Sequence, residues 1–202
     1  IEHVSNPVAL LRSVRAAIGD RVNAKVYFET PCVEWILENT VIWDFFYEHC
    51  SLFTAKSLST AFQQAGFRVD EVRHVFGGQY LWLEASPVES NIIYQGRDTL
   101  ALAMAYAEEE RLIFQHWKQR ITGLSEQGKV ALWGAGAKGT TFDNLIDTEC
   151  ELIDSLVDLN PNKQGKYVAG SGHPIVDPLQ LDSRGVTHGI LMNPNYREEN
   201  EA

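Results

Sequence analysis

No run of about 18 apolar residues occurs in this 202-residue chain, so its sequence offers no transmembrane helix. Ile1-Glu2-His3-Val4 lacks the basic start and apolar core of a signal peptide. Cysteine is scarce: Cys32, Cys50 and Cys150 are odd in number and show no C-x-x-C spacing. A disulfide framework or zinc knot is therefore not expected, and a reducing, cytoplasmic setting is. Positive charge is the other shortfall, with 17 Lys plus Arg against 27 Asp plus Glu and a net charge of −10. Such a chain repels phosphates, which argues against nucleic acid or an anionic membrane as partner. No G-x-S-x-G elbow accompanies Ser51, which leaves a hydrolase triad without support. No His, Cys or carboxylate pair stands at metal-ligand spacing, so the sequence makes no case for a metal. What is present is 45% apolar residues, with five Trp, seven Tyr and nine Phe, enough to build one large or two small domains. The chain starts without Met, as though in mid-domain, and Tyr196-Arg197-Glu198-Glu199 reads as the first turn of a helix that stops. A piece of a longer protein is expected.

Ser5-Asn6-Pro7 followed by Val8, Leu10, Leu11, Val14 and Ile18 predicts a capped amphipathic helix. Residues 24–29 read as a strand broken by Thr30-Pro31, and Ile42 to His49 as an aromatic, mostly extended run. Thr54 caps a helix over residues 55–65 that ends at Gly66. Phe67 to Phe76 and Gln79 to Glu84 form a hairpin through Gly77-Gly78. Residues 86–98 are polar, with Pro87 and Gly96, and read as a linker. A long helix over 99–124 follows, with Leu100, Ala103, Ala107, Phe114, Trp117, Ile121 and Leu124 along one stripe. Then come a strand over 129–133, a glycine-rich turn, a helix over 141–146, a strand over 152–158 and a last strand over 189–192 ending at Asn193-Pro194. The fold class is α/β.

Three constellations can carry chemistry. Tyr47-Glu48-His49 offers the side chain that most often acts as base near neutrality, beside a carboxylate able to orient it. The plainer reading is a half-buried histidine bonded to a loop carbonyl. Gly134-x-Gly136-x-x-Gly139, after a strand and before a helix, with Lys138 inside it and Asp158 ending the next strand, has the dinucleotide-fingerprint pattern. Its glycines let backbone approach a phosphate, and Asp158 can hold a ribose hydroxyl. The plainer reading is a tight turn that needs glycine for its packing. The loop from Asp158 to His173, with Asn160, Lys163 and Lys166, is rich in donors and follows a strand's carboxyl end, where α/β sheets bind ligands. The plainer reading is solvated surface. His3 beside Glu2 can face a ligand crevice, whereas His74 and His116 read as structural.

With those residues in view the chain resembles the C-terminal part of a class I S-adenosylmethionine-dependent methyltransferase, within the nucleotide-sugar C-methyltransferase group. The matching stretches are residues 2–7, 27–31, 47–51, 65–67, 78–80, 133–139, 157–166 and 192–196, in order and across nearly the whole chain. The resemblance implies that residues 1–85 are the C-terminal part of the methyltransferase catalytic domain, closing in an antiparallel hairpin. Residues 86–98 would be the linker, and 99–202 a Rossmann-like C-terminal domain. It places the main S-adenosylmethionine-binding motif, in the N-terminal cofactor-binding part of the same enzyme, before residue 1. It implies that His49 removes a proton beside a ketone, giving an enolate that attacks the sulfonium methyl, with Glu48 and Tyr47 next to it. The relatives carry a tyrosine three residues before this histidine, where this chain has Phe46. The resemblance also turns Gly134, Gly136, Lys138, Gly139, Asp158, Asn160 and Lys163 toward a small polar substrate, such as a nucleotide sugar. A nucleotide- or dinucleotide-binding module without chemistry of its own is the alternative.

Overall fold

The computed structural model describes residues 1–88, 96–192 and 197. The chain divides into two compact units, one of Ile1–Val41 with Tyr47–Ala107 and one of Ile42–Phe46 with Glu108–Ala202.

In the first unit, Pro7–Ile18 (α1) begins where the Asn6 side chain accepts the Ala9 N–H, a cap reinforced by proline at the first helical position. Val26–Pro31 (β1) runs through Thr30 and Pro31 instead of breaking there. A proline at the last residue of an edge strand leaves the ladder intact. Val33–Glu38 (α2) has no counterpart in the sequence pattern, since six residues give no helical period to read. Ala55–Gln64 (α3) carries the expected Thr54 cap, closed reciprocally with Ser57. Arg68–Val75 (β2) and Tyr80–Ser86 (β3) form the hairpin, and β3 lies between its partners in the antiparallel order β1-β3-β2. Alternation along β3 buries Leu81, Leu83 and Ala85 on one face. They join Leu11 of α1, Leu58 and Phe62 of α3, and Phe67 in one core. Within it the Phe62 ring meets those of Phe28 and Phe67 edge-on at 5.1 and 5.7 Å.

Thr99–Ser125 (α4) is the predicted long helix, but Leu100 on its expected apolar stripe is 71% exposed, while Tyr106 and Ile121 are buried. A stripe drawn for one packing surface does not fit a helix whose two ends belong to different compact units. In the second unit Lys129–Trp133 (β4), Ile153–Val157 (β5), Ile175–Val176 (β6) and Val186–Leu191 (β7) form an all-parallel sheet in the order β6-β5-β4-β7. The chain passes from β4 outward to β6 and then returns to the other side of β4, so the sheet changes direction beside β4, where such folds open a crevice. Ala137–Ile146 (α5) starts four residues earlier than the pattern suggested. Phe142 and Ile146 of α5 pack with Leu132, Leu156, Ile153 and Ile121. Ile42–Asp44, expected to be extended, is a 3-10 turn whose Trp43 ring meets Phe142 at 5.9 Å. A single turn of Leu181–Arg184 (α6) precedes β7. Most of the predicted linker and the segment after Met192, including Asn193-Pro194 and all but Arg197 of the helix start at 196–199, lie outside the described residues. No helix among the described residues is long and apolar enough to cross a membrane.

Candidate functional site

Near the carboxyl end of β1 two segments far apart in sequence come together. The Thr30 hydroxyl donates to Glu2 Oε2 at 2.9 Å. The Ser51 N–H donates to the Glu2 carbonyl at 3.2 Å, pinning residues 1–4 beside residues 47–51. The His3 and His49 rings meet edge-on, 4.8 Å between centroids, and His3 Nε2 lies 3.7 Å from Glu2 Oε1. One ligand atom from each of Glu2, His3 and His49 falls within 4.8 Å of the others, a juxtaposition their spacing along the chain did not announce. His49 is half-buried, whereas Glu48 is exposed and Tyr47 fully so. The carboxylate grouped with the imidazoles is thus that of Glu2. Burial works against its charge, yet its backbone N–H and the Thr30 hydroxyl favour it, and its pKa lies below the usual carboxylate value. Sequence reasoning gave Glu2 no role. The available signal was the repeated Glu-His dipeptide at 2–3 and 48–49.

In the second unit the glycine-rich turn follows β4 as expected. The Gly134 N–H donates to the Val157 carbonyl at 2.8 Å, and Gly136 occupies the N-cap of α5. A β-carbon on Gly139 would stand 1.8 Å from the Gly134 carbonyl oxygen, so glycine is required for the helix to start against its own turn. A β-carbon on Gly136 would meet nothing within 4 Å. Lys138 pairs with Asp44 at 3.2 Å.

Asp158 is already engaged. Its Oδ2 accepts from Lys163 Nζ at 2.9 Å and its Oδ1 from the Asn160 N–H at 2.9 Å. Lys163 Nζ also donates to the Ala135 carbonyl in the glycine turn at 3.0 Å. Burial opposes the charge on Asp158, but Lys163 and the Asn160 N–H outweigh it and lower the pKa below the ordinary value. Asn160 turns its side chain inward on its own loop, accepting the Asn162 N–H at 3.0 Å. Gly134, Gly139, Asp158, Asn160 and Lys163 therefore form one closed network, with Gly136 open beside it.

A hairpin-ended antiparallel sheet carrying a histidine cluster at a strand's carboxyl end, followed by an open parallel sheet with a glycine-rich first turn, defines a mixed α/β protein of the methyltransferase and Rossmann-like class. Residues 1–72 match the family model of a methyltransferase domain. Residues 94–201 match that of the C-methyltransferase C-terminal domain, and the chain belongs to this family. It is similar to the C-methyltransferase NovU of Streptomyces niveus, 27% identical over 213 residues that cover 98% of this chain and 50% of that protein. The chain thus spans about half the length of the curated relative it matches.

Proposed function

We propose that this chain is the substrate-side part of an S-adenosylmethionine-dependent C-methyltransferase, with His49 as general base. The observation carrying this reading is the cluster of His49, His3 and Glu2 at the carboxyl end of β1. A half-buried imidazole can take a proton from a carbon next to a carbonyl, and the Glu2 carboxylate nearby favours the imidazolium that forms. Similarity to the Streptomyces C-methyltransferase supports transfer to carbon.

The main S-adenosylmethionine-binding motif is assigned to the N-terminal cofactor-binding part of the same enzyme. In the first unit no glycine-rich turn joins a strand to a helix among the described residues. In the second, the acidic residue that would hold a ribose is held by Lys163. The role proposed for this chain therefore stops at the proton and at holding the acceptor. Residues 1–85 are assigned to the catalytic domain, 86–98 to the linker and 99–202 to the Rossmann-like domain, in a cytoplasmic enzyme. Its substrate is a small polar molecule, a nucleotide sugar being what the resemblance implies. Tyr47 and Glu48, both exposed, are assigned to substrate contact. Gly136 and Lys138, with the network of Gly134, Gly139, Asp158, Asn160 and Lys163 behind them, form the substrate-facing surface of the second unit. The Lys163 to Asp158 bond disfavours the alternative dinucleotide module, since a ribose hydroxyl would have to displace an ammonium.

The test is His49→Gln in the enzyme together with its cofactor-binding part. Turnover should fall by about 10²–10⁴ with substrate affinity kept, the usual contribution of a general base. Unchanged turnover removes His49 from the mechanism. In a thermal-shift screen, a nucleotide sugar at 100 times its Kd should stabilise the fold by about 2.7 kcal/mol, with no shift from NAD. A shift with NAD alone would establish the dinucleotide reading.

A further inference from the structure

Among the described residues, a completely buried ionisable cluster lies away from both sites just described. His173 is 1% exposed, and its two ring nitrogens face two different carboxylates. Nδ1 stands 3.0 and 3.1 Å from the two oxygens of Asp143, which is wholly buried on α5. Nε2 stands 3.2 Å from Oδ2 of Asp147, buried at the end of the same helix, at an angle too poor for a hydrogen bond. A neutral imidazole carries one N–H and one lone pair. Either neutral tautomer would therefore set a lone pair against a carboxylate oxygen in a buried place, and only the imidazolium suits both neighbours.

What this cation joins is specific. Residues 166–175 fold back on themselves, with the Val168 N–H on the His173 carbonyl at 2.9 Å and the Ile175 N–H on the Lys166 carbonyl at 2.8 Å. The tip of this hairpin rests on α5. Asn144 Nδ2 donates to the Ala169 carbonyl at 2.9 Å, and the Ser171 hydroxyl donates to Asp143. A β-carbon on Gly170 would come within 2.0 Å of Asn144 Oδ1, so tip and helix are in close contact. The hairpin continues the segment that carries Lys163 to Asp158 and to the glycine turn.

We infer that His173 is a positioning residue that works as a buried cation, clasping the 166–175 hairpin to α5, and that loss of its proton opens the clasp. The groups facing it are Asp143 and Asp147. Cys150, whose Sγ lies 3.0 Å from the Ser171 carbonyl, has a thiol pushed up by burial and by Asp147, Asp143 and Glu149, so it stays neutral. Burial alone would lower the pKa of His173, but Asp143 and Asp147 outweigh it and raise it above the usual value. The clasp is accordingly closed in the neutral range and opens as pH rises through that raised value. This inference is independent of the methyl-transfer reading and needs only the 202-residue chain.

The experiment is an NMR titration of the ring nitrogens of all six histidines, with the amides of Ala169, Ser171 and Lys163 followed in the same samples. The expected result has both His173 nitrogens protonated at neutral pH and the ring titrating above the usual histidine value. The three amides should move with that transition and not with those of the other histidines. In His173→Gln, which has no proton to lose, they should show no such transition. If that variant does not fold, the wild-type titration decides alone. A neutral, single-tautomer His173 at neutral pH, or loop amides that ignore its titration, would overturn the inference.

Discussion

Asp147→Asn should be the most costly single-atom change in the second unit. Its carboxylate accepts three successive backbone N–H groups, from Glu151 at 3.0 Å, Leu152 at 2.9 Å and Ile153 at 2.8 Å, which steer the chain from α5 into β5. Burial penalises the charge, yet these donors and His173 hold its pKa below the ordinary value. An asparagine oxygen can keep the Leu152 and Ile153 contacts, but its amide then faces the Glu151 N–H. One charge-assisted bond is lost, worth about 1.5–3 kcal/mol, and two become neutral ones. Breaking a buried ion pair by removing one partner costs about 3–5 kcal/mol, reduced in this case because His173 keeps Asp143. The combined loss should be about 3–5 kcal/mol, a large part of the 5–15 kcal/mol typical of a domain. Urea unfolding followed by Trp43, Trp117 and Trp133 fluorescence reports on the second unit, and only its transition should shift. Asp154→Asn, whose partners Lys129 and Arg184 are 56% and 33% exposed, serves as control and should cost under about 1 kcal/mol. If Asp147→Asn proves no worse than the control, buried charge is not what anchors the α5-to-β5 connection.

Phe62→Ala, at a wholly buried aromatic position, should destabilise the first unit by about 3–5 kcal/mol in urea unfolding read from its own Trp35 and Trp82. Asp70 is held down to about 2 because Lys25, Ser86 and Arg68 outweigh its desolvation. A depressed carboxylate stabilises above its unfolded value and loses that as pH falls through the folded one. After solvent screening of its half-exposed partners, Asp70→Asn should cost about 1 kcal/mol at pH 7, a cost that shrinks as pH falls from the ordinary carboxylate range and vanishes only below the folded value. Gly139→Ala should destabilise the second unit by about 1–3 kcal/mol through contact with the Gly134 carbonyl, whereas Gly136→Ala should be nearly neutral. Lys163→Met should bring the Asp158 pKa back toward its ordinary value, readable from its carboxyl carbon in an NMR titration.

Elements marked by local chemistry were legible in the sequence. Asn6-Pro7 opened α1, Thr54 and Gly66 bounded the α3 region, and Gly77-Gly78 turned the hairpin. Lys129–Trp133 was read with its observed ends. Elements made by tertiary contact were not. The α2 helix begins with Val-Glu-Trp-Ile, a strand-like composition, and its buried Glu34 accepts the Ala55 N–H of another helix. The two residues of β6 exist only as partners for Leu156 and Val157. At the candidate site, His49 stood out by residue type. Glu2 did not, because its place depends on a hydroxyl 28 residues away and a backbone bond from Ser51. Asp158 was legible as an acid ending a strand. Its capture by Lys163 was not, since a loop's path decides which cation reaches it.

The position of β3 in the first sheet sets a constraint on synthesis. Among the described residues β1 and β2 do not touch, and each pairs only with β3, the last strand of that sheet to be made. A chain emerging at about 5–20 residues per second therefore holds these two strands without their shared partner until residue 86 is out. The hairpin of β2 and β3 then closes in about 1–10 μs, and β1 is recruited across a gap of some fifty residues. A pause or truncation before Tyr80 is expected to leave β1 and β2 without the strand that joins them, and slow codons would be tolerated far better after Ser86 than before it.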